Sequence, residues 1–303
     1  MKTYDFNFQL GDIHNRRNHK LDRILNKRFK STGNAPSSKA HWNAHSFGLE
    51  NIELYKNLNA KEKDLLLKEL SMDRIQEAYH IEKSGIAYGS KMTLLSETMD
   101  ERVLYGSFTG DEARHFKLIE KYYDNSLNND ITDNCFLNFL SQMIEKAPKR
   151  SLVFMIQILL EGWGLDHYSS MANECQTQEL KTDLKSILED EVVHHGSGVI
   201  LFEENELTKD ERKIVMSSLA SFFQMVQVGP ISIMTRLESM GLELSRENRI
   251  SALEQMNAYE STVYKLNVLK RLMKKSGAKG IIEELDHLGH LQAFSTEQMA
   301  ACF

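Results

Sequence analysis

Two short runs of this chain carry the same chemistry-bearing pattern, Asp111-Glu112-Ala113-Arg114-His115 and Asp190-Glu191-Val192-Val193-His194. Each sets a Glu and a His three residues apart, which on an α-helix places both side chains on one face. Each also has a lone Glu thirty residues upstream of its own Glu, Glu82 before the first and Glu161 before the second. Four carboxylates and two imidazoles in the order Glu, Glu-x-x-His, Glu, Glu-x-x-His are the ligand set for a pair of metal ions held between helices. Four carboxylates neutralise two divalent ions, and mixed oxygen and imidazole ligation suits iron or manganese. Without metal, four buried carboxylates would repel one another and resist ionisation. No cysteine belongs to the set, which turns the reading away from zinc.

The elements that must position these six residues are amphipathic helices. A short helix at roughly 60–70 is expected to give way at Ser71, as N-cap, to a core helix running to about residue 99. Its apolar stripe is Ile75, Tyr79, Glu82, Ile86, Gly89, the inward face of such a helix. Glu77 is the competing carboxylate, but it stands about 140° from Glu82 at ~100° per residue. Glu77 shares its face with His80, Ser84 and Lys91, which reads as solvated, so Glu82 is the ligand candidate. A second core helix, about 100–124, has the stripe Tyr105, Phe108, Glu112, His115, Ile119, Tyr122. A polar connection leads to a helix near 134–146, and Pro148 then marks a helix start. The third core helix, about 149–173, reads Phe154, Ile158, Glu161, Leu165, Tyr168, Ala172. The run before Glu161, residues 152–160, is so apolar that an uncompensated carboxylate there would be costly. The fourth, about 178–203, reads Leu184, Ile187, Glu191, His194, Gly198, Leu201.

Composition agrees with an all-α chain. Three prolines and sixteen glycines punctuate 303 residues, and Leu, Glu, Lys, Met and Ala are plentiful. A net charge of −6 gives no reason to expect nucleic acid as the main partner. No apolar run approaches the ~20 residues that span a bilayer, and the opening residues lack the apolar core of a signal peptide. Cys135, Cys175 and Cys302 are odd in number and widely spaced, so no disulfide framework is indicated and a reducing, cytoplasmic setting is expected. Three segments follow from these patterns: an irregular basic arm over 1–50, the metal-binding bundle over 51–205, and a helical extension over 206–303 packed on it. Between His14 and Lys30 the arm carries Arg16, Arg17, Lys20, Arg23, Lys27, Arg28 and Lys30 against Asp22 alone. It is either a contact for an anionic substrate, carrier protein or RNA, or a solvated arm laid over the bundle. In the extension, Thr208 to Glu211 has capping-box spacing, Gly229-Pro230 should end a helix, and a long helix is expected over 246–275. That extension could cover the bundle, form a homodimer interface or wall a substrate channel.

The repeated Glu and Glu-x-x-His pattern resembles the ferritin-like di-iron carboxylate superfamily over about residues 71–203, and within it the oxygen-activating oxygenase and oxidase branch. The resemblance implies a ferritin-like four-helix bundle with additional N- and C-terminal helices. It implies that Glu82, Glu112, His115, Glu161, Glu191 and His194 bind two iron ions, manganese being the other metal the donors suit. It further implies hydrogen bonds from the His194 imidazole to Asp111 and from the His115 imidazole to Asp190, orienting each ring. The implied function is activation of dioxygen to hydroxylate, desaturate, N-oxygenate or cleave a small organic or acyl substrate, with electrons from a separate donor. Two alternatives remain, a ferroxidase or iron-handling protein without organic substrate, and an RNA-modifying hydroxylase gripping RNA with the basic arm. A storage shell normally uses a chain little longer than the bundle. A ribonucleotide reductase small subunit would be expected to carry a radical Tyr where this chain has Ile119. An arylamine N-oxygenase would be expected to carry an extra His where this chain has Ile187. His195, beside His194, is open to three roles: extra ligand, proton donor, or a neighbour of the site at the helix surface. Gly85 and Gly164, each one turn past a ligand, either leave space for dioxygen and substrate or allow close helix packing. Tyr79 and Tyr168 are the tyrosines nearest the expected pocket.

Overall fold

Long stretches without Pro or Gly leave helix as the default local structure, and the breaks fall where a cap or a left-handed residue intervenes. The computed structural model describes residues 19–29, 39–123, 134–242 and 244–303, and the regular elements among them are all helical. The helices are α1 (His19–Phe29), α2 (Glu53–Lys56), α3 (Ala60–Leu95), α4 (Met99–Ile119), α5 (Cys135–Lys146) and α6 (Lys149–Leu152). A π-helical segment, Val153–Glu161, runs directly into α7 (Gly162–Glu174). Then follow α8 (Gln178–Leu201), α9 (Lys209–Gln227), α10 (Ile231–Ser239), α11 (Arg246–Gln255), α12 (Ala258–Lys275), α13 (Lys279–His287) and α14 (Thr296–Ala300). Among the described residues no single helix is long and apolar enough to cross a membrane. Most of the basic arm, residues 1–18 and 30–38, and most of the polar connection after Tyr123 lie outside the described residues.

The chain divides into two compact units. The first is Ile75–Leu152 with the described part of Met1–Ser37. Here α3 and α4 approach closely at Gly89, where a Cβ would press on the Thr109 hydroxyl at 2.7 Å and the Thr109 backbone at 3.1 Å. Tyr79 stacks on Tyr123 at 4.2 Å and tilts against Phe116 at 4.8 Å. The end of α5 is held by Lys91 of α3, whose Nζ donates to the carbonyls of Ile144 (2.7 Å), Glu145 (3.1 Å) and Ala147 (3.0 Å). A cation there meets both the unsatisfied carbonyls and the negative end of the helix dipole.

At the start of α4, Thr98 caps the Glu101 N–H, and Glu101 returns a bond to the Glu97 N–H at 2.7 Å while accepting from Lys149 at 2.7 Å. Burial alone would raise the Glu101 carboxyl, but the Lys149 bond and the two backbone donors outweigh it and hold its pKa below the ordinary value. A depressed carboxylate contributes stability above its unfolded pKa and loses it as pH falls through the folded value. Glu101→Gln should therefore cost about 1 kcal/mol at neutral pH and nothing near pH 2, read by urea unfolding at both. An equal loss at both pH values would refute the ionic origin.

The second unit is Ser38–Arg74 with Val153–Phe303. Its N-terminal strap is pinned by Trp42, 1% exposed, whose Nε1 donates to the Met171 carbonyl at 2.9 Å. The Arg74 guanidinium lies over the Phe47 ring at 4.1 Å and donates to the Ser46 carbonyl. Here α7 packs along α8, and α8 and α12 both pack on the π-helical segment.

Three expected boundaries differ. Helix α3 does not break at Ser71; it starts at Ala60 after Asn59, whose Oδ1 accepts from the Lys61 and Glu62 N–H groups while Glu62 caps the Asn59 N–H. Ser71 lies inside the helix, and its Oγ accepts from the backbone N–H of His41 at 3.1 Å and of Trp42 at 3.4 Å. The long helix expected over 246–275 is two, because Asn257 takes a left-handed φ of +52° between α11 and α12. Asn tolerates that conformation better than other side chains with a Cβ. The third core helix is π-helical through its middle. The capping box at Thr208–Glu211, the break at Gly229-Pro230 and the stop at Gly277 (φ +83°) are all as expected.

Candidate metal centre

In the first unit, Glu82 comes from α3 and Glu112 and His115 from α4. They are 1%, 6% and 0% exposed. Glu82 Oε2 lies 3.3 Å from His115 Nδ1. Two donors on one ion, each roughly 2.1 Å from it, stand about 3 Å apart, so this spacing fits a shared metal. Gly85 explains how Glu112 reaches α3: a Cβ at position 85 would overlap the Glu112 carboxylate. The space freed by that glycine is filled by a candidate ligand and is not open to substrate.

The face of α3 that carries Glu77 reads as solvated in the sequence, yet His80 is 9% and Lys91 4% exposed. The correction has a physical cause. The end of α5 lies on Lys91, and the ring of Tyr123 meets His80 edge-on at 6.2 Å. Burial first, and Lys83 second, push the His80 imidazole down to about 4. The preference for Glu82 over Glu77 does not depend on that face being wet, because Glu82 joins the buried donors and Glu77 does not.

In the second unit, Glu161 closes the π-helical segment, and Glu191 and His194 stand on α8. Glu161 is half-buried, whereas Glu191 is 6% and His194 0% exposed. Glu191 Oε2 lies 3.7 Å from His194 Nδ1. A π-helix makes i→i+5 bonds in place of i→i+4, so the turn before Glu161 is wider than the 100°-per-residue reading assumes. Gln157 within it is fully buried; its Nε2 donates to the His194 carbonyl and to Ser197 Oγ, both at 3.2 Å. The imidazole of His195 sits half-buried with Nδ1 3.0 Å from the Gln157 carbonyl. Glycines admit both contacts: a Cβ at 162 would meet the His195 ring at 2.8 Å, and one at 198 would overlap Gln157 Cβ. Gly164, by contrast, borders open space. Tyr168 is 5% exposed in α7, and Asp111 and Asp190 are half-buried. Gln157 and the π-helical turn went unnoticed in the sequence; the available signal was one amide inside an otherwise apolar run of nine residues.

Glu82, Glu112, His115, Glu191 and His194 make up a buried cluster of Glu and His side chains compatible with a di-iron site. Glu82, Glu112 and His115 in the first unit, and Glu161, Glu191 and His194 in the second, each offer a ligand atom. Such a cluster could hold metal. Comparison with protein-family models, curated proteins and solved structures finds no match to the chain.

Proposed function

We propose that this protein is a non-haem di-iron oxygenase or oxidase, with manganese an alternative in one position. Glu82, Glu112, His115, Glu161, Glu191 and His194 would hold the two ions. The observation that carries this reading is the concentration of almost fully buried carboxylates beside two imidazoles that are 0% exposed. Buried carboxylates without compensating positive charge are strongly disfavoured, and two divalent cations supply the compensation. The residues fit the group in donor type as well as charge.

When bound, such ions supply the reduction of dioxygen coupled to oxidation of an organic substrate. The chain's own part is to fix the donors on helices, keep the cluster away from bulk water and orient the imidazoles. The resemblance would give that last task to Asp111 and Asp190. A small organic or acyl substrate, and an external electron donor, complete the scheme.

The test is stoichiometric. Anaerobic protein loaded with ferrous iron and exposed to oxygen should oxidise about two irons per chain and stop. Oxidation and retention of many more would make it an iron-handling protein and sink the oxygenase reading.

A further inference from the structure

We infer that Gln157 and His195 form a clasp that positions the metal-binding side chains of the second unit, tying the wide turn that ends at Glu161 to the α8 turn that carries His194. The inference rests on the metal-binding reading of Glu161, Glu191 and His194 and adds the device that sets where they stand.

The π-helical segment needs an external reason to exist. Returning from i→i+5 to i→i+4 bonding at Gly162 leaves one more carbonyl than there are amide donors at the junction. A side-chain donor from α8 reaches this last wide turn, with His195 Nδ1 3.0 Å from the Gln157 carbonyl. A carbonyl can only accept, so Nδ1 carries the hydrogen and the tautomer of His195 is set by this contact. The same residue ties the helices a second time, in the opposite sense. Gln157 Nε2 donates to the carbonyl of His194, which also accepts from Ser197 Oγ at 2.8 Å. Residue 157 thus receives a bond from His195 through its backbone and returns one to His194 through its side chain. Two glycines make the clasp sterically possible. Gly198 lets Gln157 lie against α8, and Gly162 lets the His195 ring lie against the residue next to Glu161. Leu272 of α12 would also meet a Cβ at 162, at 2.9 Å, so the same glycine lets α12 approach the junction.

His195 is therefore a positioning residue that acts on Glu161 and His194 through the backbone. The test uses the full-length protein and ferrous ion alone, titrated anaerobically. His195→Phe keeps a ring but removes the donor and should weaken ferrous binding by about 10–100-fold. His195→Asn offers an N–H near the Nδ1 position and should recover binding to within about threefold of wild type, whereas Gln157→Leu should behave like His195→Phe. In the metal-free protein, amide hydrogen exchange across 153–162 should quicken by about tenfold in His195→Phe and return in His195→Asn. His195→Phe with wild-type binding and unchanged exchange would overturn the clasp. So would His195→Asn as weak as His195→Phe, because the ring would then act on the metal directly. Wild-type protein that takes up no ferrous ion would overturn the metal-binding reading, while quickened exchange in metal-free His195→Phe would still support the clasp.

Discussion

Replacing Glu112 and Glu191 together with alanine should abolish metal binding, from about two ions per chain to near zero after anaerobic loading and desalting. Each is the carboxylate of a Glu-x-x-His pair, so their loss leaves Glu82 with His115 in the first unit and Glu161 with His194 in the second. Neither remaining pair can neutralise a divalent ion as four donors do. Stability should move the other way in the absence of metal. Removing two buried carboxylates relieves mutual repulsion and desolvation, so the metal-free variant should unfold at or above the temperature of metal-free wild type. Wild type should gain stability from metal, by about 4 kcal/mol at a free ion concentration 1,000 times its Kd, and the variant should gain nothing. Elemental analysis and calorimetry with and without chelator read both effects. A double variant that retains about two ions would show that the ligands are elsewhere.

The second large effect separates two glycines that look alike in sequence. Gly85→Ala and Gly198→Ala each add one methyl to a helix and each should gain up to about 1 kcal/mol in helix propensity. At 85 the obstacle is the carboxylate end of Glu112, a flexible side chain that can swing aside. The fold should survive with a stability change under about 1 kcal/mol, while metal affinity falls at least ~10-fold because the displaced group is a candidate ligand. At 198 the obstacle is Cβ of Gln157, which cannot move without its backbone and sits in a fully buried turn. Overpacking there should cost about 1–3 kcal/mol, exceeding the propensity gain, and should appear as a lower Tm of the metal-free protein. If both variants lose metal and stability equally, the distinction between a flexible and a fixed obstacle is wrong.

Much of the site was legible because its signal is periodic. Glu82, Glu112, His115, Glu191 and His194 lie where a 3.6-residue repeat calls for Leu or Ile, and all five are buried. Helix ends marked by local chemistry were equally legible: Thr208 with Glu211, Gly229 with Pro230, and Gly277 act within a turn of themselves. Ser71 misled because a Ser can cap a helix or serve a distant strand of backbone, and only its partners His41 and Trp42, thirty residues away, decide which. Lys91 and His80 misled because a polar residue opposite an apolar stripe is solvated only when no third element covers it. Here α5 covers the first and Tyr123 meets the second.

The amino-acid sequence by itself determined the helical class, the donor types and their pairing at three-residue spacing, because these depend on identity and on the local period. Only the tertiary structure decided how Glu161 is presented. A π-helical turn has no distinctive hydropathy pattern in a run that is buried on every side, and it persists through bonds from another helix. Those bonds come from His195 and to His194, made possible by glycines at 162 and 198 whose purpose is invisible until α8 lies against them.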